Sequence, residues 1–273
     1  MYKTVLAICI ALICSTATYA QLVTGTVKDA KTKQPLSFVN VGVVGKGLGT
    51  VTNDAGTFSL ALEKYTKDSL RVSILGYKSQ SFLVADILKN PDVLAITLLP
   101  DAISLKEVKI KSHKWKGIVL GNTTKSQGVA AELKGPMLGF EIGVVIPVKK
   151  SPAWLKRFNC SIINNMQGDS VRLRLNVYSV KDGMPDKNIL QQNIYTTVFK
   201  GDKEIIIDLE PYNIKVDGDF FVSLETIQSM IDVDLRLSAS VYKRAPSIVR
   251  SASQSSWGNL IRIGVGFNVL IDY

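Results

Sequence analysis

From residue 22 onward apolar and polar side chains alternate with a period of two. In Val171-Arg172-Leu173-Arg174-Leu175-Asn176-Val177-Tyr178 one face is Val, Leu, Leu, Val and the other Arg, Arg, Asn, Tyr. Successive side chains of a strand point to opposite faces, so this is a strand with one face in a core. The pattern returns at 233–241 and 261–273, with further strands predicted over 22–28, 38–44, 70–75, 94–99, 139–148, 158–165, 194–199, 204–209 and 219–226. Turn residues separate them, as in Asn53-Asp54-Ala55-Gly56, Lys181-Asp182-Gly183 and Asp217-Gly218-Asp219. Helix signals are few. Ser151-Pro152-Ala153-Trp154-Leu155-Lys156-Arg157 offers a capping serine and a proline at the first helical position, and Ala85 to Lys89 offers a second short turn. Many short strands with such punctuation predict an all-β protein of sandwiches or jelly rolls.

The first twenty residues break the alternation. Lys3 precedes the unbroken apolar run Val5 to Ile13, and Thr18-Tyr19-Ala20 has a small-x-small pattern. This predicts a secretory signal over 1–20, cut before Gln21, and hence export to the periplasm, the outer membrane or the exterior. Cys14 offers a lipidation reading, but Leu12 and Ile13 before it are larger than such sites accept. The run is too short for a lasting span, and no transmembrane helix is expected in the mature chain. Cys160 would then be the mature chain's only cysteine, a buried small hydrophobe by its setting in Phe158-Asn159-Cys160-Ser161-Ile162.

The chain of 273 residues is long enough for two cores and carries a formal charge of +10. Its one histidine, His113, argues against Ser-His-Asp or Cys-His catalysis and against zinc held by paired histidines. Asp182, Asp186, Asp217 and Asp219 lack a complete calcium spacing and read as turn chemistry. No cofactor or metal is therefore expected. Lysines cluster between 106 and 134, at Lys106, Lys109, Lys111, Lys114, Lys116, Lys125 and Lys134. Leu105 to Lys111 still alternates and reads as a last strand of a first domain, leaving 112–136 as a basic linker. Without any recognition motif, and with export expected, nucleic acid is not the partner implied by that charge.

The order Gly25-Thr26-Val27-Lys28-Asp29, Gln34-Pro35-Leu36, Val39-Asn40-Val41, Gly49-Thr50-Val51-Thr52-Asn53-Asp54-Ala55-Gly56-Thr57-Phe58, Leu75-Gly76-Tyr77 and Leu105-Lys106-Glu107-Val108 resembles the carboxypeptidase-like regulatory domain. That module is a transthyretin-like β-sandwich. In Bacteroidetes-type bacteria it also stands before the plug of TonB-dependent transporters. The resemblance covers 21–111 and implies a scaffold with no catalytic residue to carry across. The region 137–273 looks like a companion domain seen after this module in exported proteins, which implies a jelly-roll-like sandwich. Neither a transporter plug nor metallopeptidase ligands can be read in the remaining sequence.

By alternation Arg172, Arg174, Tyr178, Arg236 and Tyr242 point away from the apolar side of their strands, and with Trp257 they are the candidate ligand-binding residues. Guanidinium forks and aromatic faces suit sugars, carboxylated glycans or anionic lipid headgroups. The same face is also explained by cross-strand pairs of these arginines with Glu225 or Asp234, and Trp257 by a plug at a sandwich end. No catalytic residues are assigned. The expected role is a non-catalytic binding or assembly module of the cell envelope that recognises glycan or an envelope protein. The alternatives are a carboxylate-based glycan hydrolase, expected to show two convergent acids in a cleft, and a purely structural envelope protein.

Overall fold

A computed structural model describes residues 22–90, 94–101, 117–135, 138–164, 168–241, 246–260 and 262–273. The expected signal at 1–20 with Cys14, the strand at 105–111, His113 and Tyr242 lie outside the described residues.

The first unit runs β1 (Leu22–Asp29), β2 (Asn40–Val43), β3 (Gly49–Val51), β4 (Thr57–Ala61), β5 (Ser69–Ser73), β6 (Gln80–Leu83), a helix α1 (Val84–Lys89) and β7 (Leu94–Leu98). Sheet β4-β1-β7 faces sheet β3-β2-β5-β6. Alternation sends Val23, Val27, Phe58, Leu60, Ile96 and Leu98 from one sheet and Val41, Val43, Leu70 and Val72 from the other into one core. The turn Asn53-Asp54-Ala55-Gly56 folds as its residues predict. Asn53 Oδ1 accepts from the amides of Ala55 and Thr57 at 3.0 Å. Gly56 has φ of +70°, and a Cβ there would meet the Val27 carbonyl at 2.6 Å. Tyr77 donates to Asp29 Oδ2 at 2.8 Å, tying the chain after β5 to the end of β1.

The second unit runs β8 (Ile118–Gly121), β9 (Ala130–Gly135), β10 (Glu141–Ile146), β11 (Ala153–Asn164), β12 (Ser170–Lys181), β13 (Met184–Asn188), β14 (Ile194–Phe199), β15 (Glu204–Asp208), β16 (Lys215–Val216), β17 (Phe220–Thr226), β18 (Met230–Val241), β19 (Ser247–Arg250), β20 (Gly258–Leu260), β21 (Ile263–Val265) and β22 (Phe267–Asp272). A seven-stranded sheet has the order β13-β12-β17-β10-β19-β20, with β14 also on β12. The eight-stranded sheet has the order β21-β18-β11-β22-β8, with β15 and β16 on β11 and β9 on β18. The chain crosses repeatedly between the two, and one core joins Leu175, Val177, Leu224 and Ile142 to Phe158, Leu237, Phe267 and Val269. Phe158 and Phe267 meet edge to face at 5.0 Å. The molecule is thus all-β, a sandwich followed by a second two-sheet β unit. No helix among the described residues is long and apolar enough to cross a membrane.

Two expectations are corrected. The segment 112–136 is not linker throughout: β8 pairs with β22 and β9 with β18, so the second unit begins by Ile118. Residues 153–157 form no helix; they open β11, which pairs with β16 and β22. A bulge between Leu155 and Arg157 lets the buried positions change parity, from Ala153 and Leu155 to Phe158, Cys160 and Ile162. That switch hides the period of two, and strand pairing outweighs the local cap signal.

Candidate ligand cleft between the two sandwiches

Strands β12, β17, β10 and β19 are neighbours, and their register sets Arg174 opposite Glu225, Glu225 opposite Glu141, and Glu141 opposite Arg250. One row across the sheet therefore reads Arg-Glu-Glu-Arg, on the face turned away from the core of the second unit. The next row is Asn176, Ser223, Gly143 and Ile248, and the one after sets Tyr178 beside Phe221 and Val145. Phe221, Tyr178 and Ile248 form a small apolar cluster. Trp257 covers it, its ring 5.2 Å from Phe221 and 5.7 Å from Tyr178.

The charged row is buried: Glu141 and Glu225 are 0% exposed and Arg174 is 2% exposed. Arg174 Nε donates to Glu225 Oε2 at 2.9 Å, and Arg250 Nη2 lies 2.6 Å from Glu141 Oε2 and 3.5 Å from Glu225 Oε1. Asn176 Nδ2 donates to both carboxylates, at 3.0 Å to Glu141 and 2.8 Å to Glu225. Ser223 and Tyr178 hydroxyls donate to Glu141. Buried charges persist only when paired and hydrogen-bonded in this way. Burial lifts the Glu141 carboxyl above its usual range; Arg250 opposes the shift, and the charge of Glu225 adds to it. Burial would lift Glu225 too, but Arg174 and then Arg250 outweigh it and hold that carboxyl below the usual range.

What covers the row is the first unit. Arg174 Nη1 donates to the Phe38 carbonyl at 2.9 Å and Nη2 to Asn40 Oδ1 at 2.6 Å. The loop after β19, Ser251 to Trp257, wedges against the β2–β3 hairpin. Ser253 donates to Asn40 Oδ1, Gln254 Nε2 to Ser73 Oγ at 2.9 Å, and Ser255 Oγ to the Lys46 carbonyl at 2.5 Å. The Gly45 amide returns a bond to the Gln254 carbonyl at 2.9 Å. Phe38 and Gln254 take positive φ, +58° and +65°, a backbone region that bulky residues rarely occupy and that the seam holds in place.

Beside the seam a cleft of about 390 Å³ remains between the units. Arg71, Tyr77 and Asp101 line it from the first unit, and Arg174, Asn176, Tyr178, Asn188, Asn193, Arg250 and Gln254 from the second. Neither Glu141 nor Glu225 is part of its lining. Polar groups converging from two units on one concavity mark a candidate binding site.

The predicted ligand-binding residues therefore do not form one open face. Arg174 and Tyr178 are buried at the cleft floor, and Arg174 takes Glu225 as its cross-strand partner. Arg172 is exposed and outside the cleft lining, its guanidinium 5.5 Å from the Phe38 ring. Arg236 belongs to the opposite sheet, where β9 sets Glu132 across from it at 3.2 Å. Trp257 packs under Arg250, 5.0 Å from its guanidinium. Strand alternation identifies the side of a strand, not which strands are neighbours, and that is why Arg236 separates from the rest. Sequence reasoning missed Glu141, Arg250, Asn176 and the cleft residues of the first unit. The available signal was Asp219-Phe220-Phe221-Val222-Ser223-Leu224-Glu225, where Phe221 stands on a face that should be wet. All seven residues of β17 are buried, which an antiparallel strand shows when both its faces are covered.

Residues 23–110, which take in nearly all of the first unit, match the family model of the CarboxypepD_reg-like domain. None of the curated proteins matches the chain. Among solved structures, one similar chain is from the structure of infectious bursal disease virus Gx strain, with 10% identity and a TM-score of 0.20. The match covers 92% of this chain and 62% of that one, so this chain spans less than two thirds of its length. A score that low carries no argument about fold or role.

Proposed function

We propose that the protein is an exported, non-catalytic binding module of the cell envelope, that its site is the cleft between the two units, and that its ligand is a glycan of the envelope. The observation that carries this reading is the lining itself. Three guanidiniums and the side-chain amides of Asn188, Asn193 and Gln254 converge there, while both buried glutamates lie outside it. Fixed amides and guanidiniums pair with sugar hydroxyls and acidic groups at little ordering cost. The sequence features that support export are the signal-like 1–20 and the small-x-small pattern before Gln21.

A glycan array probed with the chain from residue 21 tests the reading. Binding should fall about five- to tenfold in Asn193→Ala, the size of one lost hydrogen bond. It should be blocked in Ser79→Trp, which places a large ring on an exposed lining position. An array with no retained glycan, or retention equal in all three proteins, refutes it.

A glycan hydrolase is the second reading, because Glu141 and Glu225 are adjacent carboxyls shifted in opposite directions, as an acid and its partner are in glycosidases. Both are 0% exposed, which favours binding over hydrolysis. New reducing ends on a retained glycan, lost in Glu225→Gln, would reverse that preference.

A further inference from the structure

Within the cleft the three guanidiniums are not equivalent. Arg174 and Arg250 already hold carboxylates, Glu225 and Glu141, at 2.9 and 2.6 Å. Their charge is balanced beneath the floor, and Arg174 also donates to the first unit. Arg71 differs. It sits exposed on β5, and among the described residues no carboxylate lies within ion-pair distance of it. Among the described residues its side-chain bond is Nη2 to Ser79 Oγ at 3.3 Å. A guanidinium carries five N–H donors, and its planar fork matches a carboxylate with two parallel bonds.

The remaining surroundings describe the rest of the ligand. Asn188, Asn193, Gln254, Ser73 and Ser79 offer neutral donors and acceptors, and Ile74 and Leu75 are the aliphatic side chains in the lining. This is a poor receptor for an apolar side chain and a good one for a body covered with hydroxyls. The formal charge of +10 on the chain draws anions toward it.

We infer that the cleft takes an acidic saccharide, a sugar bearing a carboxylate such as a uronic acid, with that carboxylate seated on Arg71 and the hydroxyls on the amides of Asn188, Asn193 and Gln254. This rests on the cleft being the binding site proposed above. The acid is supplied by the ligand because Arg174 and Arg250 are already paired beneath the floor, and among the described residues the lining's own acid, Asp101, forms no ion pair with Arg71.

Isothermal titration of the chain from residue 21 with a galacturonic acid trisaccharide and with its methyl ester separates the two claims. The ester keeps the hydroxyls and removes the charge. The acid should bind about tenfold more tightly than the ester, the usual gain for a charge-assisted pair. Arg71→Ala, at an exposed position, should bring the two affinities within about twofold by weakening the acid much more than the ester. Asn193→Ala should weaken both. Raising salt should weaken the acid alone. Equal affinities for acid and ester in the unaltered chain, or a preference that survives Arg71→Ala, overturns the role of Arg71 and leaves a neutral-glycan cleft standing. Failure of both sugars to bind, with an array that retains no other glycan, overturns the cleft as well.

Discussion

Arg172 and Arg174 lie two residues apart on the same face of one strand, yet their energetic roles differ by their surroundings. Arg172 pairs with Asp54 at 3.9 Å through side chains that are 47% and 86% exposed. Such a pair is worth at most about 1 kcal/mol. Arg174 holds Glu225 through side chains 3% and 0% exposed and also carries two bonds to the first unit. Removing it strands a buried carboxylate, which costs about 3–5 kcal/mol. Urea unfolding of the full chain should therefore show Arg174→Ala losing several kcal/mol and Arg172→Ala about 1 kcal/mol or less. Similar losses in the two variants would mean that Glu225 is not held as a buried anion. The joint replacement Arg174→Met with Glu225→Leu should recover part of the loss, since it removes both charges together. Alternation in the sequence put both arginines on the side away from the core. It could not distinguish them, because the cover over Arg174 comes from Phe38 and Asn40, 136 and 134 residues away in the chain.

The β2–β3 hairpin and the loop after β19 act as a pair of surfaces made to fit closely. A Cβ on Gly42 would come within 2.1 Å of the Ser253 carbonyl, and one on Gly49 within 2.2 Å. These glycines let backbone meet backbone across the seam. Gly42→Ala must push the loop away, at a cost of about 1–3 kcal/mol for a tightly packed contact. Gly128 has nothing within 4 Å of its Cβ position, so Gly128→Ala should stay within about 0.5 kcal/mol of the parent. Hydrogen exchange read by mass spectrometry should speed up across residues 251–257 in Gly42→Ala and not in Gly128→Ala. Unchanged exchange in that loop would show that the glycine approach does not hold the units together. At this scale most strands were legible: 22–28, 70–75, 194–199, 204–209 and 219–226 each coincide with an observed strand to within about two residues. What was hidden had physical causes. The two strands β8 and β9 stand among lysines and glycines, with few buried side chains to mark a face. The bulge in β11 interrupts its period, and the single alternating run 261–273 divides at Gly266 into strands with different partners. Gly266 has no room for a Cβ, with the Ser238 carbonyl at 2.8 Å, so the chain can change sheet partners there.

For the whole molecule the row Arg174-Glu225-Glu141-Arg250 links the folding of the second unit to the docking of the first, and its two acids respond to pH with opposite sign. Glu225 is held below its unfolded value, so its contribution is complete above about pH 4.3 and is lost as pH falls through the folded value. Glu141 is lifted above its unfolded value. The folded state then binds a proton before the unfolded chain does, and the contribution of Glu141 is greatest below about pH 4.3 and is lost as pH rises through the folded value. Asp29 adds to the acid-sensitive side: the Thr32 amide, and then the Tyr77 hydroxyl, keep its carboxyl low. Differences between variants isolate each acid from this background. Glutamine in place of Glu141 resembles the protonated acid, so Glu141→Gln should match the parent in thermal midpoint at acid pH and equal or exceed it increasingly toward pH 7. Glu225→Gln should behave in the opposite way, falling furthest below the parent at pH 7 and approaching it as the parent's own carboxylate takes up its proton. Thermal unfolding of the full chain between pH 3 and pH 8 reads both curves. A Glu141→Gln deficit that grows toward pH 7 would place the stabilising anion at Glu141 rather than Glu225. Because Glu225 holds the guanidinium through which Arg174 reaches Phe38 and Asn40, the acid limb should also loosen the units from each other. In Glu225→Gln a single thermal transition should separate into two at every pH, whereas in Glu141→Gln it should stay single.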